Sequence, residues 1–282
     1  MYKIGLSTTG EKICEETIKM YGDYGIEYIE ISTSKENTDA IDFEELISWC
    51  NKYGVKIWSL HLPFYPFSVI DISNEALASF SVKYLSDLIL KAGNAGIDKF
   101  IIHASGEPIE EKDRASRMET AKNSLFTLCE VAGSIGGTIC VEDLPRSCLG
   151  RNSNDILELL SAHPKLRACF DTNHLLGEDN CQFVRNVGNK IISLHVSDYD
   201  FVNERHWLPG EGKNDWQGIL QALKEIGYNG IWLYEINMDA PKTIIRPRRL
   251  TPDDFIRNAN EVFENKKLTV ISTPKENLGY WD

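Results

Sequence analysis

The chain has 282 residues, of which 42% are hydrophobic and 26% charged, the make-up of an ordinary globular protein rather than a disordered one. No stretch approaches the roughly 18 uninterrupted apolar residues that a membrane helix needs, so no membrane partner is expected. The 30 Lys and Arg against 42 Asp and Glu leave a formal charge of −12, a field that repels nucleic-acid backbones and anionic lipid.

The opening Met1-Tyr2-Lys3-Ile4-Gly5-Leu6-Ser7 enters an apolar run directly, without a basic segment, long apolar stretch or small-residue cleavage site, and a cytoplasmic location is expected. The 7 cysteines include no Cys-x-x-Cys pair, which predicts reduced thiols rather than a disulfide framework or a thiolate zinc site.

In chain order, eight short apolar runs read as strands: residues 3–7, 28–31, 57–61, 100–103, 138–142, 168–171, 191–195 and 231–235. They are nearly continuous β-branched and aromatic runs rather than apolar/polar alternations, as in parallel strands covered on both faces. Between them, residues 43–50, 76–92, 115–132, 155–160 and 216–226 carry apolar side chains at helical spacing. Gly54, Gly96, Gly136-Gly137 and Gly227 stand where helix C-caps belong. Eight strand–helix units without a Gly-rich phosphate loop predict a single (β/α)8 TIM barrel over residues 1–264, with residues 265–282 as a C-terminal extension on its surface.

Six of these runs close on a polar, metal-competent side chain: His61, His103, Glu142, Asp171, His195 and Glu235. The C-terminal strand ends of a (β/α)8 barrel converge on one mouth, so these residues are predicted to be neighbours. Glu142, Asp171 and Glu235 would repel one another unless a cation sat between them. With His195 they are predicted to hold one divalent ion, Mn²⁺ first and Mg²⁺, Co²⁺ or Zn²⁺ otherwise, since oxygen and imidazole donors without thiolate suit these metals.

At these residues the chain resembles the xylose isomerase-like TIM barrels, a family of sugar isomerases and epimerases, inosose dehydratases and apurinic-site endonucleases. The resemblance runs from Ile4 to about Phe263 and rests on the ordered set Ser59-Leu60-His61-Leu62-Pro63, Ile102-His103, Val141-Glu142-Asp143, Phe170-Asp171-Thr172-Asn173-His174, Leu194-His195-Val196-Ser197-Asp198, Pro209-Gly210-Glu211-Gly212 and Tyr234-Glu235. In its ketose 3-epimerases the positions matching Glu142, Asp171, His195 and Glu235 hold a single metal, the two glutamates move the substrate proton, and the position matching His174 contacts the substrate. The resemblance therefore implies a metal-dependent sugar isomerase or epimerase that forms an enediolate next to a carbonyl, with Glu142 and Glu235 exchanging base and acid roles. A lyase or dehydratase acting on a keto-sugar or inosose through the same enediolate is the alternative. A homodimer or homotetramer is compatible with either.

Further substrate contacts are expected from Arg205, His206 and Trp207 in the loop after strand seven, with aromatic faces also offered by Phe64, Tyr65, Phe67 and Trp216. Trp216 starts a helix and reads better as packing. His61 and His103 stay open between substrate hydroxyls, support of neighbouring residues and an additional metal. Arg146, Arg151 and Arg205 are candidate phosphate ligands, and Arg246, Arg248 and Arg249 form a basic cluster in the sequence. The nuclease branch resembles Asp-Arg-His-x-His-Ile-Gly-x-Gly after strand seven, where this chain has Glu204-Arg205-His206-Trp207-Leu208-Pro209-Gly210-Glu211-Gly212. Leu208 replaces a histidine, which predicts an incomplete three-metal cluster; with the acidic balance, nucleic acid is not expected as a partner.

Overall fold

The computed structural model describes residues 1–280. Eight parallel strands appear where the apolar runs place them: β1 Ile4–Ser7, β2 Tyr28–Ile31, β3 Lys56–His61, β4 Lys99–His103, β5 Thr138–Glu142, β6 Arg167–Asp171, β7 Ile191–His195 and β8 Trp232–Tyr234. The sheet order is β7-β6-β5-β4-β3-β2-β1-β8. The seam between β7 and β8 is closed by a bridge between Val196 and Tyr234, with Val196 N donating to Leu233 O at 2.8 Å and Glu235 N to Val196 O at 3.2 Å. The fold is thus a (β/α)8 barrel, as expected.

Helices α1 Glu15–Asp23, α2 Lys35–Asp39, α3 Phe43–Tyr53, α4 Glu75–Asn94, α5 Arg114–Ser134, α6 Ser153–Leu160, α7 Asn180–Val187, α8 Trp216–Glu225 and α9 Pro252–Phe263 fill the crossovers. Local sequence sets their ends. The Asp42 carboxylate accepts the amides of Glu44 and Glu45 to start α3, which stops where Gly54 turns left-handed at φ 72°. No helix among the described residues is long and apolar enough to cross a membrane. All seven cysteines are free.

Strand periodicity explains why the runs are apolar throughout. Ile102, Val141, Phe170 and Leu194 face outward into the main core under the helices, while their neighbours Ile101, Cys140 and Cys169 form a separate buried cluster against Ile192. Two residues further along the same inward faces stand His103, Glu142 and Asp171, because side chains repeat every second residue in a strand. The inward layer is therefore apolar at mid-barrel and becomes ionisable at the mouth.

After α9 the chain runs back over the mouth side. Thr273 and Pro274 pair antiparallel with Ile245 and Ile244 in the loop after β8. Ser272 N donates to Glu211 Oε1 at 3.0 Å, and Gly279 O accepts from the Arg205 guanidinium at 2.8 Å. The last two residues of the expected extension, 281 and 282, lie outside the described residues.

Candidate active site at the strand ends

Each strand from β3 to β7 ends on its inward-facing ionisable residue, and Glu235 follows β8 directly. Glu142, Asp171, His195 and Glu235 each offer a donor atom, and the four atoms lie within 4.8 Å of one another. His195 Nδ1 is 2.7 Å from Glu142 Oε1, 3.4 Å from Glu235 Oε2 and 4.0 Å from Asp171 Oδ2. Asp171 Oδ1 accepts the Asn173 amide at 2.7 Å, yet Asp171 Oδ2 is buried without a hydrogen-bond partner. A buried carboxyl oxygen without a hydrogen-bond partner beside two more carboxylates is costly to ionise on its own and fits a cation-binding position.

Two flanking groups adjoin this cluster. Glu142 Oε2 lies 3.1 Å from both His61 Nε2 and His103 Nε2, and Phe64 stacks on the His103 ring at 3.9 Å between centroids. On the other side His174 Nε2 is 3.2 Å from Glu204 Oε2 and 3.6 Å from Asp171 Oδ2, and His206 completes a third group of potential ligands with them. The expectation that Leu208 leaves such a group incomplete is corrected here. Leu208 is fully buried in the core, and His174, Glu204 and His206 come together without it. His206 reaches inward from a left-handed backbone at φ 51°, held by Asn173 Oδ1, which accepts the amides of Arg205 and His206.

The electrostatics follow from burial and these contacts. Burial raises the Asp171 carboxyl, and the nearby Glu235 and Glu142 add to it against the pull of His174, so that it titrates at about 7. Burial likewise opposes ionisation of Glu142, but the charge on His195 and hydrogen bonds from His103, His195 and His61 hold it well below the usual carboxylate range. His61 loses from burial and gains more from Glu142, rising to about 9, whereas burial keeps His103 below its ordinary value.

Glu30 is a residue of the candidate site that does not stand at a strand end. It lies inside β2, fully buried, at the point where the register against β3 shifts between Ile29 and Glu30. Its Oε1 and Oε2 stand 3.0 and 3.1 Å from His195 Nε2, and Ser59 Oγ donates to Oε2 at 2.6 Å. Glu30 thereby fixes the far nitrogen of the imidazole and turns Nδ1 towards the carboxylates. The signal was present: a charge within Tyr28-Ile29-Glu30-Ile31 must be partnered if both strand faces are covered.

The loop after β7 is built around one buried carboxylate. Asp198 Oδ1 accepts the amides of Tyr199 and Asn214, and Asp198 Oδ2 accepts those of Gly210 and Gly212 and the indole N–H of Trp216. A Cβ on Gly212 would come within 2.4 Å of Asp198 Oδ1, so the chain can pass this close only as glycine. Trp216 is accordingly packing, as expected.

A cavity of about 400 Å³ opens above the cluster, lined by His61, His103, His174, Arg205 and His206 among the expected substrate contacts, together with Phe64 and Phe67. Trp207 is not among its lining residues. It is 2% exposed, donates its indole N–H to Thr243 Oγ1 at 2.9 Å, and its backbone pairs antiparallel with Asp198, so its expected sugar contact is replaced by a structural role. Tyr65 is 65% exposed and faces a separate surface cleft.

The guanidinium of Arg205 is directed to Asp200 and Gly279 O. Arg146 is clamped by Glu107 and Glu204, and Arg151 faces Glu111. The basic cluster seen in the sequence after β8 disperses: Arg246 is buried near Glu211, Arg248 binds Asp254, and Arg249 binds Glu11.

The profile of the family described as xylose isomerase-like TIM barrel matches residues 19–257. An uncharacterized protein of Methanocaldococcus jannaschii is 27% identical over 190 residues, 64% of each chain. Fructoselysine 3-epimerase of Escherichia coli O157:H7 is 28% identical over 145 residues, 46% of this chain and 53% of that one. The chain thus spans a little under two thirds of the first of these relatives and about half of the second. Among solved structures, a D-tagatose 3-epimerase-like protein superposes with a TM-score of 0.73 at 23% identity, covering 82% of this chain and 89% of the other, a likeness of fold.

Proposed function

We propose, from the premise that this chain belongs to the xylose isomerase-like TIM barrel family, that it is a divalent-metal-dependent ketose epimerase acting at the carbon beside the carbonyl. One observation carries the reading: three carboxylates and an imidazole from consecutive strand ends converge within 4.8 Å around an unpartnered Asp171 oxygen. The similarity to a fructoselysine 3-epimerase supports the same chemistry.

In this proposal Glu142, Asp171, His195 and Glu235 hold the ion. When bound, it would polarise the substrate carbonyl and stabilise the enediolate charge. Glu142 ends β5 and Glu235 follows β8, the outer two of the four strands that supply the cluster, and one would remove the proton from carbon while the other returns it to the opposite face. His61 and His103 keep Glu142 ionised through their hydrogen bonds to Oε2. His174 and His206 line the cavity beside Glu204 and bind substrate hydroxyls, while Phe64 and Phe67 exclude water. Mn²⁺ is the first choice of ion.

The test is solvent deuterium incorporation at the carbon beside the carbonyl, with a panel of ketoses, before and after chelation and re-addition of Mn²⁺. Exchange with inversion supports the epimerase, a dehydrated product moves the enzyme to the lyases, and no exchange under any metal refutes the proposal. A second reading, a multi-metal phosphodiesterase, is favoured by the third ligand group at His174, Glu204 and His206. The chain's charge of −12 opposes it, and cleavage of abasic DNA with Zn²⁺ or Mn²⁺ would establish it instead.

A further inference from the structure

The loop after β7 is held in two ways. Asp198 gathers its ends through the amides of Tyr199, Gly210, Gly212 and Asn214. The tip between them, residues 200–206, brings Glu204 and His206 to the cavity over the strand ends and is held by the C-terminal segment of the chain. Arg205, whose side chain is fully buried, donates from Nε to Asp200 Oδ2 at 2.9 Å and from Nη2 to Gly279 O at 2.8 Å. Asn203, also buried, donates from Nδ2 to Tyr280 O.

Asn203 passes this contact inward. Its Oδ1 accepts from Arg146 Nη1 at 2.6 Å and from the Glu204 amide at 3.0 Å. Arg146 Nη1 is also 2.8 Å from Glu204 Oε1, and Glu204 Oε2 stands 3.2 Å from His174 Nε2. A side-chain amide has one accepting and one donating end, so the Tyr280 carbonyl selects the orientation that turns Asn203 Oδ1 towards the Arg146 guanidinium. The reversed amide would set its N–H₂ against that cation. Polar contacts therefore run from the tail to Glu204 and His174. The Arg205 contact leads to His206, the next residue, whose left-handed backbone at φ 51° persists only where its surroundings enforce it.

The tail itself is lightly anchored. Ser272 is buried, Thr273 and Pro274 pair with Ile245 and Ile244, and Lys275 N donates to Thr243 O at 3.0 Å. From Glu276 to Tyr280 no residue is buried. A segment with few buried contacts opens at low cost, whereas a buried guanidinium or amide deprived of an acceptor is costly. Release of the tail is thus transmitted to the loop tip rather than absorbed within the tail.

We propose that residues 276–280 are a strap that sets the substrate-binding side of the site. Docked, they hold Glu204 and His206 where substrate hydroxyls bind; released, they let residues 200–206 move away, while the four strand-end ligands stay with the barrel. The inference rests on the epimerase reading for what the strap controls. Coupling of this kind is reciprocal, so a bound sugar also holds the strap down.

The test compares the full chain with a variant ending at Lys275. With the ketose of the panel that exchanges fastest, the variant is expected to show a KM raised about tenfold or more, with kcat and Mn²⁺ affinity within about threefold and an unchanged circular dichroism spectrum. Amide hydrogen exchange reads the strap without turnover: residues 200–206 should exchange at least about tenfold faster in the variant. In the full chain, saturating ketose should slow exchange at residues 276–280.

A KM within about twofold of the full chain, unchanged exchange at residues 200–206, or a tail indifferent to bound ketose overturns the strap. A parallel fall of kcat, Mn²⁺ affinity and melting temperature overturns it too, since that marks a merely structural segment. If the shortened variant does not fold, Asn203→Asp in the full chain keeps the Oδ1 acceptor and removes the donor to Tyr280. Faster exchange at 200–206 and 276–280 then supports the strap, and wild-type exchange overturns it. If no ketose is turned over, the epimerase reading fails by itself, and exchange at residues 200–206 still decides for or against the strap.

Discussion

Replacing Glu30 by glutamine tests the site at its least expected member. The change keeps the size of the side chain and removes its charge and one acceptor. In the native arrangement His195 Nε2 faces Glu30 oxygens at 3.0 and 3.1 Å, and Ser59 Oγ donates at 2.6 Å. With glutamine, the amide oxygen can take the Oε2 position that both donors share, but the N–H₂ then stands where Oε1 faces His195 Nε2 at 3.0 Å, and the imidazole loses the anion that raises its basicity. Loss of such a carboxylate behind a ligating histidine typically costs about 10- to 100-fold in metal affinity, or about 1.4–2.7 kcal/mol. Because Glu30 touches none of the carboxylates across the cluster, the loss should appear in ion binding at equal secondary structure. The assay is competition for Mn²⁺ against a chelating dye at neutral pH, with far-ultraviolet circular dichroism as the check on folding. An affinity within about twofold of wild type in a folded variant would refute the argument that Glu30 orients His195.

Further outcomes follow from the same geometry. Glu142→Gln and Glu235→Gln should each lower turnover by about 10²–10⁴-fold with an unchanged fold, read as deuterium exchange; full activity in either removes that residue from proton transfer. Without an ion, Asp171 binds a proton up to about pH 7, because burial and the adjacent Glu235 and Glu142 raise it. Its unfolded counterpart has already lost that proton, so this group makes the metal-free protein less stable as pH rises from about 4 to 7. Ion binding displaces the proton, and the rise in melting temperature on adding Mn²⁺ should therefore grow between pH 5 and 7.5; a pH-independent rise would contradict it. Trp207→Phe, which removes the indole bond to Thr243, should cost stability by about 1 kcal/mol in denaturant unfolding while KM for sugar stays unchanged.

How much of this was legible in the sequence differs from element to element. The strands could be read because a parallel strand packed on both faces writes its burial into consecutive residues, and the boundaries agree within a residue or two. Four helices escaped. α1, α2 and α7 are short or polar, and α9 carries its signal in Pro252 at the first turn and in the spacing of Phe255, Ala259 and Val262. The strand-end residues were legible because the topology, once inferred, fixes their convergence without further information.

Loop side chains were not. Trp207 was expected at the sugar because an aromatic beside Pro209 and Gly210 in a mouth loop suggests a platform, but the antiparallel pairing of its backbone with Asp198 turns the ring towards Thr243. That pairing depends on contacts far apart in sequence. The arginines after β8 likewise read as a cluster until their carboxylate partners at Glu11, Glu211 and Asp254 are placed in space.

The five N–H donors gathered on the Asp198 carboxylate have a consequence for engineering. Residues 199–216 are folded around an internal anion, so they constitute a module whose shape is set from within more than by the helices beneath it. Specificity at this mouth should therefore be transplantable between barrels of this family, provided the graft carries Asp198, Gly212 and Trp216 together. A junction placed after Asp198 would leave five donors without their acceptor, and the transferred segment would lose the conformation that made it worth moving.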